Sequence, residues 1–600
     1  MKRTIICLLA LLLTIYMVPI HTDAAEDQVK SIKIAISKDE STLTPYTYIT
    51  GYPGLELVHL LYDTLFQLDE SNTPQPWLVS DYKVSDDGLT YEFTLHENVK
   101  WHDGKQLTAD DVKFTVDYFL EHPKSRFTNP LKNIETLEVK SDTVLVMKLK
   151  QADPNFMIQP LADVPILPEH VWSKISNPNE ASNALGSGPY QLEEYEAGRY
   201  YKMKANQGYF KGKPAAEQLI FPIIEDTTAM YTALKAGEVD AITSSLTPEV
   251  VGEFESNPNT KVEIGPGYST TLFQINAEKY PMSETSFRQA IGYAIDTQYL
   301  VDTVTLGYAE VGSPGFIHPS STFYNDELSF TPDKEKAKQI LEEAGFKDLN
   351  GDGFVEGQNG EEISLQSLVY SSNPLRIRTA EIITEWLNEI GIKTEVRAMD
   401  ATTVDSLVWP EFDVSKGRNF DLAMWGWSST LQLFPDRLVE LFHSDPAIGS
   451  VNIGGYSSEQ FDQMAQELSA TVDPGQRKEI ILQMQKFVAE DFPIVPLYYS
   501  EIINAFNPNV YDGYAFQLGK GIMNKLSFVP SAQGAGPAVN TESGADKPSA
   551  ETDKNETQTG AETENGNSTS LILLLLMVAV IVGGIIFLKK RTKGKGNRAA

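Results

Sequence analysis

The sequence predicts a mixed α/β fold that is divided among more than one lobe. Segments that alternate polar and apolar residues, typical of half-buried strands, are interspersed with segments that have helix caps and amphipathic spacing. At 600 residues, the chain is long enough for several domains of about 100–200 residues each. The sequence shows no repeat with a period of about 20–50 residues, so we do not expect a solenoid or a propeller.

The strand prediction rests on segments in which apolar residues occupy every second position. Residues 31–36 and Thr90–Leu95 have this alternation, which places their apolar side chains on one face. Residues 138–140 and Val144–Leu149 are separated by a short Ser-Asp-Thr turn. We therefore expect these two segments to pair as a hairpin.

Helix starts and ends are marked by capping residues. Thr108 and Asp111 have the spacing of a capping box, in which each side chain accepts a hydrogen bond from a backbone N–H at the helix start. Lys334–Glu343 is predicted to be a helix that Gly345 terminates, because glycine adopts the left-handed conformation without steric cost. We also expect helices over 377–390 and 475–490 and a strand over 393–397.

The two ends of the chain differ in composition from the part between them. Residues 1–25 combine two basic residues, an apolar run and small residues, which is typical of a cleaved secretory signal. Residues 531–570, rich in Ser, Thr, Glu and Gly, predict a flexible stalk, because they have little apolar surface to bury. The uncharged run 571–588 predicts a transmembrane helix, and the basic residues 589–600 predict a cytoplasmic tail. We therefore expect a single-pass protein whose N-terminal part lies on the extracellular face of the membrane.

Charge and cysteine content exclude two classes of function. The chain has 49 basic and 82 acidic residues, a net charge of −33. Proteins that bind nucleic acids gain affinity from clusters of Lys and Arg, so we expect no nucleic-acid partner. The only cysteine, Cys7, lies in the predicted signal. An intrachain disulfide and a cysteine-based metal or redox site are therefore excluded.

Several strings of residues, in order along the chain, resemble one family. They are Val-Lys-Trp-His-Asp-Gly-Lys-Gln-Leu-Thr-Ala-Asp-Asp-Val-Lys-Phe at 99–114, Leu-Pro-Glu-His-Val-Trp at 167–172, Gly-Ser-Gly-Pro-Tyr at 186–190, Ala-Leu-Lys-Ala-Gly-Glu-Val-Asp at 233–240, Arg-Gln-Ala-Ile at 288–291 and Glu-Asp-Phe-Pro at 490–493. This pattern resembles the family 5 extracellular solute-binding proteins of peptide- and nickel-type ABC importers. The resemblance covers about residues 32–529.

The resemblance implies a two-lobed periplasmic-binding-protein-like fold of type II, the three-domain cluster C type, with the ligand in the cleft between the lobes. It implies that residues 26–66, 185–270 and 498–530 form the first lobe, that residues 67–184 form a second domain on it, and that residues 271–497 form the other lobe. The implied function is the capture of a solute, by family a peptide, for ABC permease subunits, without catalysis or a required cofactor. We expect a monomer.

The segment that begins at Trp425 has the flat apolar side chains and hydroxyl groups that a ligand cleft needs. Residues 420–424 predict a strand, and we expect Trp425 and Trp427 in a turn-prone loop after it, where they contact sugar rings or peptide side chains. In peptide-binding relatives an acidic residue a few positions later pairs with the peptide's amino group. Thr430 stands in its place here, and Asp436 could substitute. The alternatives are packing between the lobes for the tryptophans and a helix cap for Asp436.

Further candidates for ligand contact flank the expected crossing between the lobes. Tyr268, Thr271 and Phe273 lie where the resemblance places that crossing. Tyr46 and Tyr48 lie in a loop that approaches the cleft in relatives. For each of them the alternative is an ordinary core or surface residue.

Residues 348–356 have the pattern of a calcium loop, with oxygen donors at alternate positions and a glycine for the sharp turn. The twelfth position is Asn359 rather than Glu, so a carboxylate ligand must come from Glu356, Glu361 or Glu362, or be absent. The alternative is an Asx-rich turn that its own side chains stabilise. The ligands expected for a structural calcium ion are Asp348, Asn350, Asp352, Phe354, Glu356 and Glu361.

Alternative functions stay open at this point. The same fold can serve a surface receptor for an oligosaccharide or a metal chelate, because a fold does not fix its ligand. A secreted surface hydrolase is the alternative of another class, since carboxylates are abundant. The sequence contains no HExxH, GxSxG or P-loop motif that would favour an enzyme. The cytoplasmic tail is too short for a signalling domain, which disfavours a sensor.

Overall fold

The computed structural model of the protein describes residues 29–428, 435–471 and 473–529. The predicted signal, stalk, membrane helix and cytoplasmic tail lie outside these residues, and so does Thr430. Within the described ranges, every helix is too short or too polar to cross a membrane.

Strands occur along the whole described chain. They are β1 (Val29–Ala35), β2 (Phe66–Leu68), β3 (Pro74–Pro76), β4 (Val79–Val84), β5 (Thr90–Leu95), β6 (Ile134–Ser141), β7 (Val144–Leu149), β8 (Tyr190–Glu196), β9 (Tyr200–Ala205), β10 (Ala216–Pro222), β11 (Ala241–Ile242), β12 (Lys261–Ile275), β13 (Ala309–Val311), β14 (Leu365–Tyr370), β15 (Thr394–Met399), β16 (Leu422–Ser428) and β17 (Ile494–Phe506).

Helices alternate with these strands, as the sequence predicts. The α-helices are Gly54–Leu61, Ala109–Glu121, Ser125–Leu131, Glu169–Trp172, Thr227–Ala236, Val251–Glu255, Thr285–Ala294, Thr297–Val304, Lys334–Glu343, Pro374–Glu389, Ala401–Val408, Asp436–Phe442, Glu459–Ala470 and Pro474–Asp491.

One large sheet connects two lobes through two long strands. Its order is β15-β14-β16-β12-β17-β11-β1-β10-β9-β8, and β13 pairs with β17 beside this path. We call the part with β1 and β8 to β11 the first lobe and the part with β13 to β16 the second lobe; β12 and β17 cross between them. A separate antiparallel sheet, β4-β5-β7-β6, and the small pair β2-β3 accompany the first lobe.

Each lobe has its own apolar core. In the first lobe, the main cluster of buried residues comes from 32–241 and 506–528, and it includes side chains of the β4-β5-β7-β6 sheet. In the second lobe, the sheet separates two clusters, with Phe273 and Met424 on one face and Leu272 and Trp425 on the other. The predicted bounds of the lobe segments stay a prediction.

A buried ion pair ties the C-terminal segment of the described chain to the first lobe. The Lys525 Nζ lies 2.7 Å from the Asp63 carboxylate, and neither side chain has more than 1% of its surface exposed. The same carboxylate accepts hydrogen bonds from the Ser187 hydroxyl (2.9 Å), the Tyr209 hydroxyl (2.8 Å) and the Trp77 indole N–H (3.0 Å). Burial by itself would raise the pKa of Asp63, but Lys525 and the hydroxyl groups of Tyr209 and Ser187 outweigh it and lower that pKa. The Asp63 carboxylate therefore has its cation and its hydrogen-bond donors within the protein.

Most local predictions are confirmed. Lys334–Glu343 has the predicted bounds, and Gly345 follows it at φ +91°. The capping box at Thr108 is formed, and β6 pairs with β7 in antiparallel register. The helices predicted from residues 377 and 475 begin earlier, at Pro374 and Pro474. In both, an Asx residue caps the helix and proline occupies the first position, where its missing N–H has no cost.

Candidate functional site

At the junction of the two lobes, the carboxyl end of β16 from the second lobe and that of β11 from the first lobe point toward each other. Ser269 of β12 lies opposite Ser428 at the end of β16, and β12 continues from there into the first lobe, where Lys261 lies opposite Phe506. The carboxyl end of β16 therefore points toward the first lobe. β11 is parallel to β1, and after Ile242 the chain runs along β17 toward the second lobe. Ligands of open α/β sheets bind outside such carboxyl ends, so the cleft between them is the candidate site.

The side of this cleft in the first lobe contains a cavity of about 380 Å³. This volume lies within the range of about 300–1,000 Å³ that is common for small-molecule sites. Small hydroxyl residues and apolar side chains share its surface. The lining residues are Ser37, Tyr52, Pro53, Thr243, Ser244, Ser245, Ile502, Gly519 and Lys520.

The charged groups beside the cavity already have protein partners. Lys520 Nζ lies 2.7 Å from a carboxylate oxygen of the buried Glu56. Glu40, which has no exposed surface, accepts hydrogen bonds from the backbone N–H groups of Ile49 (2.9 Å) and Thr50 (2.8 Å). These contacts hold the loop before helix Gly54–Leu61 in place. The charges in this wall of the cleft therefore have partners within the protein, a carboxylate for Lys520 and backbone N–H groups for Glu40.

Trp425 and Trp427 lie in β16 of the second lobe and not in a loop. The prediction of a turn-prone loop was wrong for residues 425–428, because β12 supplies ladder partners up to Ser428. Trp425 lies opposite Leu272 and Trp427 opposite Thr270, so the two rings share one face with their centroids 6.3 Å apart. Trp425 is 6% exposed, and Trp427, nearer the cleft, is half-buried.

Arg376 is a cationic group at this end of the second lobe that the sequence analysis missed. It lies in the first turn of helix Pro374–Glu389, beyond the carboxyl end of β14, and a Cβ at residue 426 would overlap its guanidinium. Among the described residues no carboxylate pairs with it. Burial lowers the pKa of Arg376, and the phenol groups of Tyr498 and Tyr370 oppose that shift. Because an arginine stays charged at neutral pH, this end of the second lobe has a cation without a carboxylate partner among the described residues.

Three nitrogen donors near the tryptophans also lack a hydrogen-bond partner among the described residues. They are the indole N–H groups of Trp409 and Trp427 and the Nε of Arg437. The Arg437 Cζ lies 4.4 Å from the Trp427 ring centroid, and its Nη1 donates to Glu440 at 2.7 Å. A buried donor without a partner costs about 1–3 kcal/mol. An acceptor placed beside any of these donors would remove that cost.

Tyr268 lies at the crossing between the lobes and is packed there on several sides. It is 4% exposed, and its hydroxyl accepts a hydrogen bond from the side-chain amide of Asn72. A Cβ at residue 519 would overlap the ring, so Gly519 permits the close approach. The His318 ring lies 6.3 Å away, centroid to centroid, and burial lowers the pKa of His318 to about 4. A ligand contact of Tyr268 stays a prediction.

The other four apolar and hydroxyl candidates have packing contacts. Phe273 has no exposed surface, and Thr271, 4% exposed, lies opposite Gly426. The Tyr46 ring stacks on Phe119 of helix Ala109–Glu121 at 5.2 Å between centroids, and Tyr48 lies 6.2 Å from Phe127 of helix Ser125–Leu131. For these residues the structure gives contacts within the protein, and direct ligand binding stays a prediction.

Two carboxylates at the crossing strands were not expected from the sequence. Glu310 lies on β13 and Glu501 on β17, and neither pairs with a cation among the described residues. Burial raises the pKa of both, and the charge of Glu310 raises the pKa of Glu501 further. Only the pairing of β13 with β17 brings these residues near each other. No signal in the sequence could have found them.

The two candidates that follow β16 are outside or at the edge of the described residues. Thr430 falls in the gap 429–434. Asp436 is the first residue of helix Asp436–Phe442, whose N-cap is Pro435. The ligand roles of both stay predictions.

The predicted calcium loop forms turns that its own side chains stabilise. The Asp348 carboxylate accepts a hydrogen bond from the Gly351 N–H at 2.6 Å, and Glu356 accepts one from the Leu349 N–H at 2.6 Å and another from the Asn350 amide at 2.5 Å. Nowhere in the described part of the chain do three or more His, Cys, Asp or Glu side chains form a group that could hold a metal. The calcium site stays a prediction.

The fold and the cleft define a class of protein. Two α/β lobes joined by crossing strands, with strand ends, a cavity and unpaired donors at their junction, are the architecture of a hinged solute-binding protein. A family model described as "Bacterial extracellular solute-binding proteins, family 5 Middle" matches residues 73–449. The chain belongs to this family, which confirms the resemblance. Family 5 proteins are transport receptors of ABC importers and bind a solute without converting it.

Individual relatives agree with this assignment along most of the chain. The oligopeptide-binding protein AppA of Bacillus subtilis (strain 168) is 29% identical over 498 residues, which cover 81% of this chain and 89% of AppA. The structure of that protein in complex with a nonapeptide matches with a TM-score of 0.65 at 26% identity, over 84% of this chain and 99% of the other. NikZ of Campylobacter jejuni in complex with Ni(L-His) matches with a TM-score of 0.65 at 26% identity, over 80% and 94%. These structures confirm the predicted two-lobed α/β fold.

Proposed function

We propose that the protein binds a peptide with a free carboxylate in the cleft between its lobes and delivers it to the permease subunits of an ABC importer. The observation that carries this proposal is the Arg376 guanidinium at the end of β14, which has no carboxylate partner among the described residues. Charged hydrogen bonds between a guanidinium and a carboxylate are among the strongest in proteins. A ligand carboxylate would therefore complete the site.

The relatives support a carboxylate-bearing solute. AppA of Bacillus subtilis is named an oligopeptide-binding protein, and NikZ of Campylobacter jejuni was solved with Ni(L-His). A peptide has a C-terminal carboxylate, and histidine has one as well. Thr430 cannot pair with a ligand's amino group as a carboxylate would. The carboxylate end of the ligand is thus the end that Arg376 can pair with by charge.

Calorimetry with the full chain in detergent tests this proposal. The panel pairs a peptide that has a free C-terminus with the same peptide as its amide, and adds a nickel–histidine chelate and an oligosaccharide. We expect Arg376→Met to weaken the affinity for the free-acid peptide by roughly 10–100-fold, because a hydrogen bond to a charged group contributes about 1.5–3 kcal/mol. The amide should bind weakly to both proteins.

Arg378→Met is the matched control. Arg378 lies in the same helix, but its side chain is 65% exposed and pairs with Glu381 at 3.6 Å. Its replacement should leave affinity unchanged. Equal binding of acid and amide, or an Arg376→Met protein with wild-type affinity, would contradict the proposal. Tight binding of only the chelate or the oligosaccharide would assign the receptor to that ligand.

We propose further that residues 1–25 are removed as a signal and that residues 571–588 anchor the protein in the membrane, with 589–600 in the cytoplasm. The support is the sequence alone: an uncharged run long enough for a bilayer, followed by basic residues. Deleting residues 571–600 should release a folded, ligand-binding protein into the medium. Retention of the truncated protein in the membrane fraction would refute this anchor.

A further inference from the structure

A row of aromatic rings leads from the core of the second lobe to its surface. The ring centroids of Tyr370 and Trp425 are 5.9 Å apart, those of Trp425 and Trp427 are 6.3 Å apart, and those of Trp427 and Trp409 are 5.6 Å apart. Trp409 in turn lies 5.4 Å from Phe412. We call these five residues the aromatic row. Trp427 lies near the cleft end of β16, so the middle of the row adjoins the cleft.

The outer end of the row is exposed and has an unusual backbone. Phe412 is 65% exposed. Both Glu411 and Phe412 have φ near +55°, a left-handed conformation that costs about 1–2 kcal/mol per non-glycine residue. An exposed phenylalanine side chain is unfavourable in water, and an unstrained backbone would not adopt this conformation. Such strain is concentrated in proteins at ligand-binding and switch segments.

The row also contains donors without partners. The indole N–H groups of Trp409 and Trp427 and the Nε of Arg437, whose side chain is 6% exposed, bond to no acceptor among the described residues. The Arg437 guanidinium covers the Trp427 ring. Apolar packing alone does not account for three buried donors along one set of rings. A molecule that brings both a flat apolar surface and an acceptor would satisfy the rings and the donors together.

We infer that Phe412, Trp409 and Trp427 form an aromatic subsite at the outer part of the cleft. The subsite takes a planar ring with an acceptor beside it, as a peptide residue with an aromatic side chain and a backbone carbonyl provides. The ring packs edge-to-face on Phe412 and Trp409, and the acceptor receives an indole N–H. This inference rests on the proposed function, because it assigns part of the ligand that the cleft binds.

Affinity measurements on a matched peptide set test the subsite. One set of alanine tetrapeptides has a single Phe, placed at each of the positions in turn, and the other set has a single Leu in the same places. Calorimetry measures the binding of each peptide to the full chain in detergent. At one position we expect the wild type to bind the Phe peptide roughly tenfold more tightly than the Leu peptide, which corresponds to about 1.4 kcal/mol. Phe412→Ala and Phe412→Leu should both remove this preference, so that each variant binds the Phe and the Leu peptide with similar affinity.

Tyr299→Ala is the matched control, since Tyr299 is also an exposed aromatic residue of the second lobe, 47% exposed and 5.6 Å from Trp386. It should keep the preference for Phe. Thermal melts confirm that each variant is folded. A wild type that does not distinguish Phe from Leu, or a preference that survives Phe412→Ala or disappears in Tyr299→Ala, would overturn the subsite.

A second probe keeps the subsite testable if no tetrapeptide binds, a result that would refute the peptide receptor. Saturation-transfer NMR then compares N-acetyl-phenylalaninamide with N-acetyl-leucinamide. Transfer to the phenylalanine probe alone, lost in Phe412→Ala and kept in Tyr299→Ala, supports the subsite without a peptide ligand. Equal transfer to both probes, or transfer that survives Phe412→Ala, overturns it.

Discussion

The two walls of the cleft use charge in opposite ways. In the first lobe, Glu40 binds backbone N–H groups, Lys520 pairs with Glu56, and the buried Lys525 pairs with Asp63. In the second lobe, Arg376 and the indole donors have no such partners among the described residues. A polar group with protein partners contributes to stability, whereas an unpaired group in a cleft is available to a ligand. From this comparison we predict that the charged groups of the first wall contribute to stability and that those of the second wall contribute to ligand binding.

The largest effect should come from breaking the buried pair of the first lobe. Lys525→Met leaves Asp63 buried without its cation, and the loss of one partner of a buried pair costs about 3–5 kcal/mol. We expect chemical denaturation to show this decrease in the free energy of unfolding, with ligand affinity unchanged for the folded fraction. Lys520→Met is the control. Because the Lys520 side chain is 18% exposed, this replacement should lower the free energy of unfolding by less than Lys525→Met does. A normal stability together with lost binding would reverse the assignment of this wall.

The next effect separates two neighbouring tryptophans of the second wall. Trp425 is 6% exposed in the core, so Trp425→Ala should lower the free energy of unfolding by about 3 kcal/mol or more. Trp427 lies nearer the cleft, so Trp427→Ala should weaken ligand affinity roughly tenfold. It should lower the free energy of unfolding by less than Trp425→Ala does. Calorimetry and thermal melts on both variants measure the two quantities. Unchanged affinity in a folded Trp427→Ala protein would mean that this ring only packs between elements.

Local sequence signals predicted local structure well. Caps and alternation located Lys334–Glu343, the hairpin of β6 and β7, and the start of helix Ala109–Glu121, because each depends on residues a few positions apart. Trp425 and Trp427 were found as candidates from their composition. Their placement in a loop was wrong, because the partner strand β12 is distant in the chain and its pairing leaves no signal in the segment itself.

The charged parts of the site could not be predicted for the same reason. Arg376 resembles any arginine in the first turn of a helix, and only the fold shows that its guanidinium lies against Gly426 without a carboxylate nearby. Glu310 and Glu501 become neighbours through strand pairing. Conversely, Tyr46 and Tyr48 were chosen by their loop position, and the structure shows them against Phe119 and Phe127.

The smallest effect concerns Glu310 and Glu501, which are unpaired like the donors of the second wall but carry the opposite charge. Burial, and for Glu501 also the charge of Glu310, raises the pKa of each above its ordinary value of 4.5. Between 4.5 and the raised pKa, the folded state binds more protons than the unfolded state, so stability falls as the pH rises through this window. Glu501→Gln removes the charge and should raise the free energy of unfolding at pH 7.5 by up to about 1 kcal/mol, within the range for single substitutions.

At pH 4 the same variant should differ little from the wild type, because the wild-type carboxylates are then largely protonated. Chemical denaturation at both pH values measures the difference in the free energy of unfolding. Glu263→Gln serves as the control, because the carboxylate of Glu263 on β12 has a cationic neighbour, the Lys261 Nζ at 3.8 Å. A Glu501→Gln protein that is less stable than the wild type at pH 7.5 would show that a cation pairs with this carboxylate. A Glu501→Gln protein with unchanged stability but weaker ligand binding would instead indicate that the crossing strands bind the cationic end of a ligand. The division between a stabilising first wall and a ligand-binding second wall would then no longer hold.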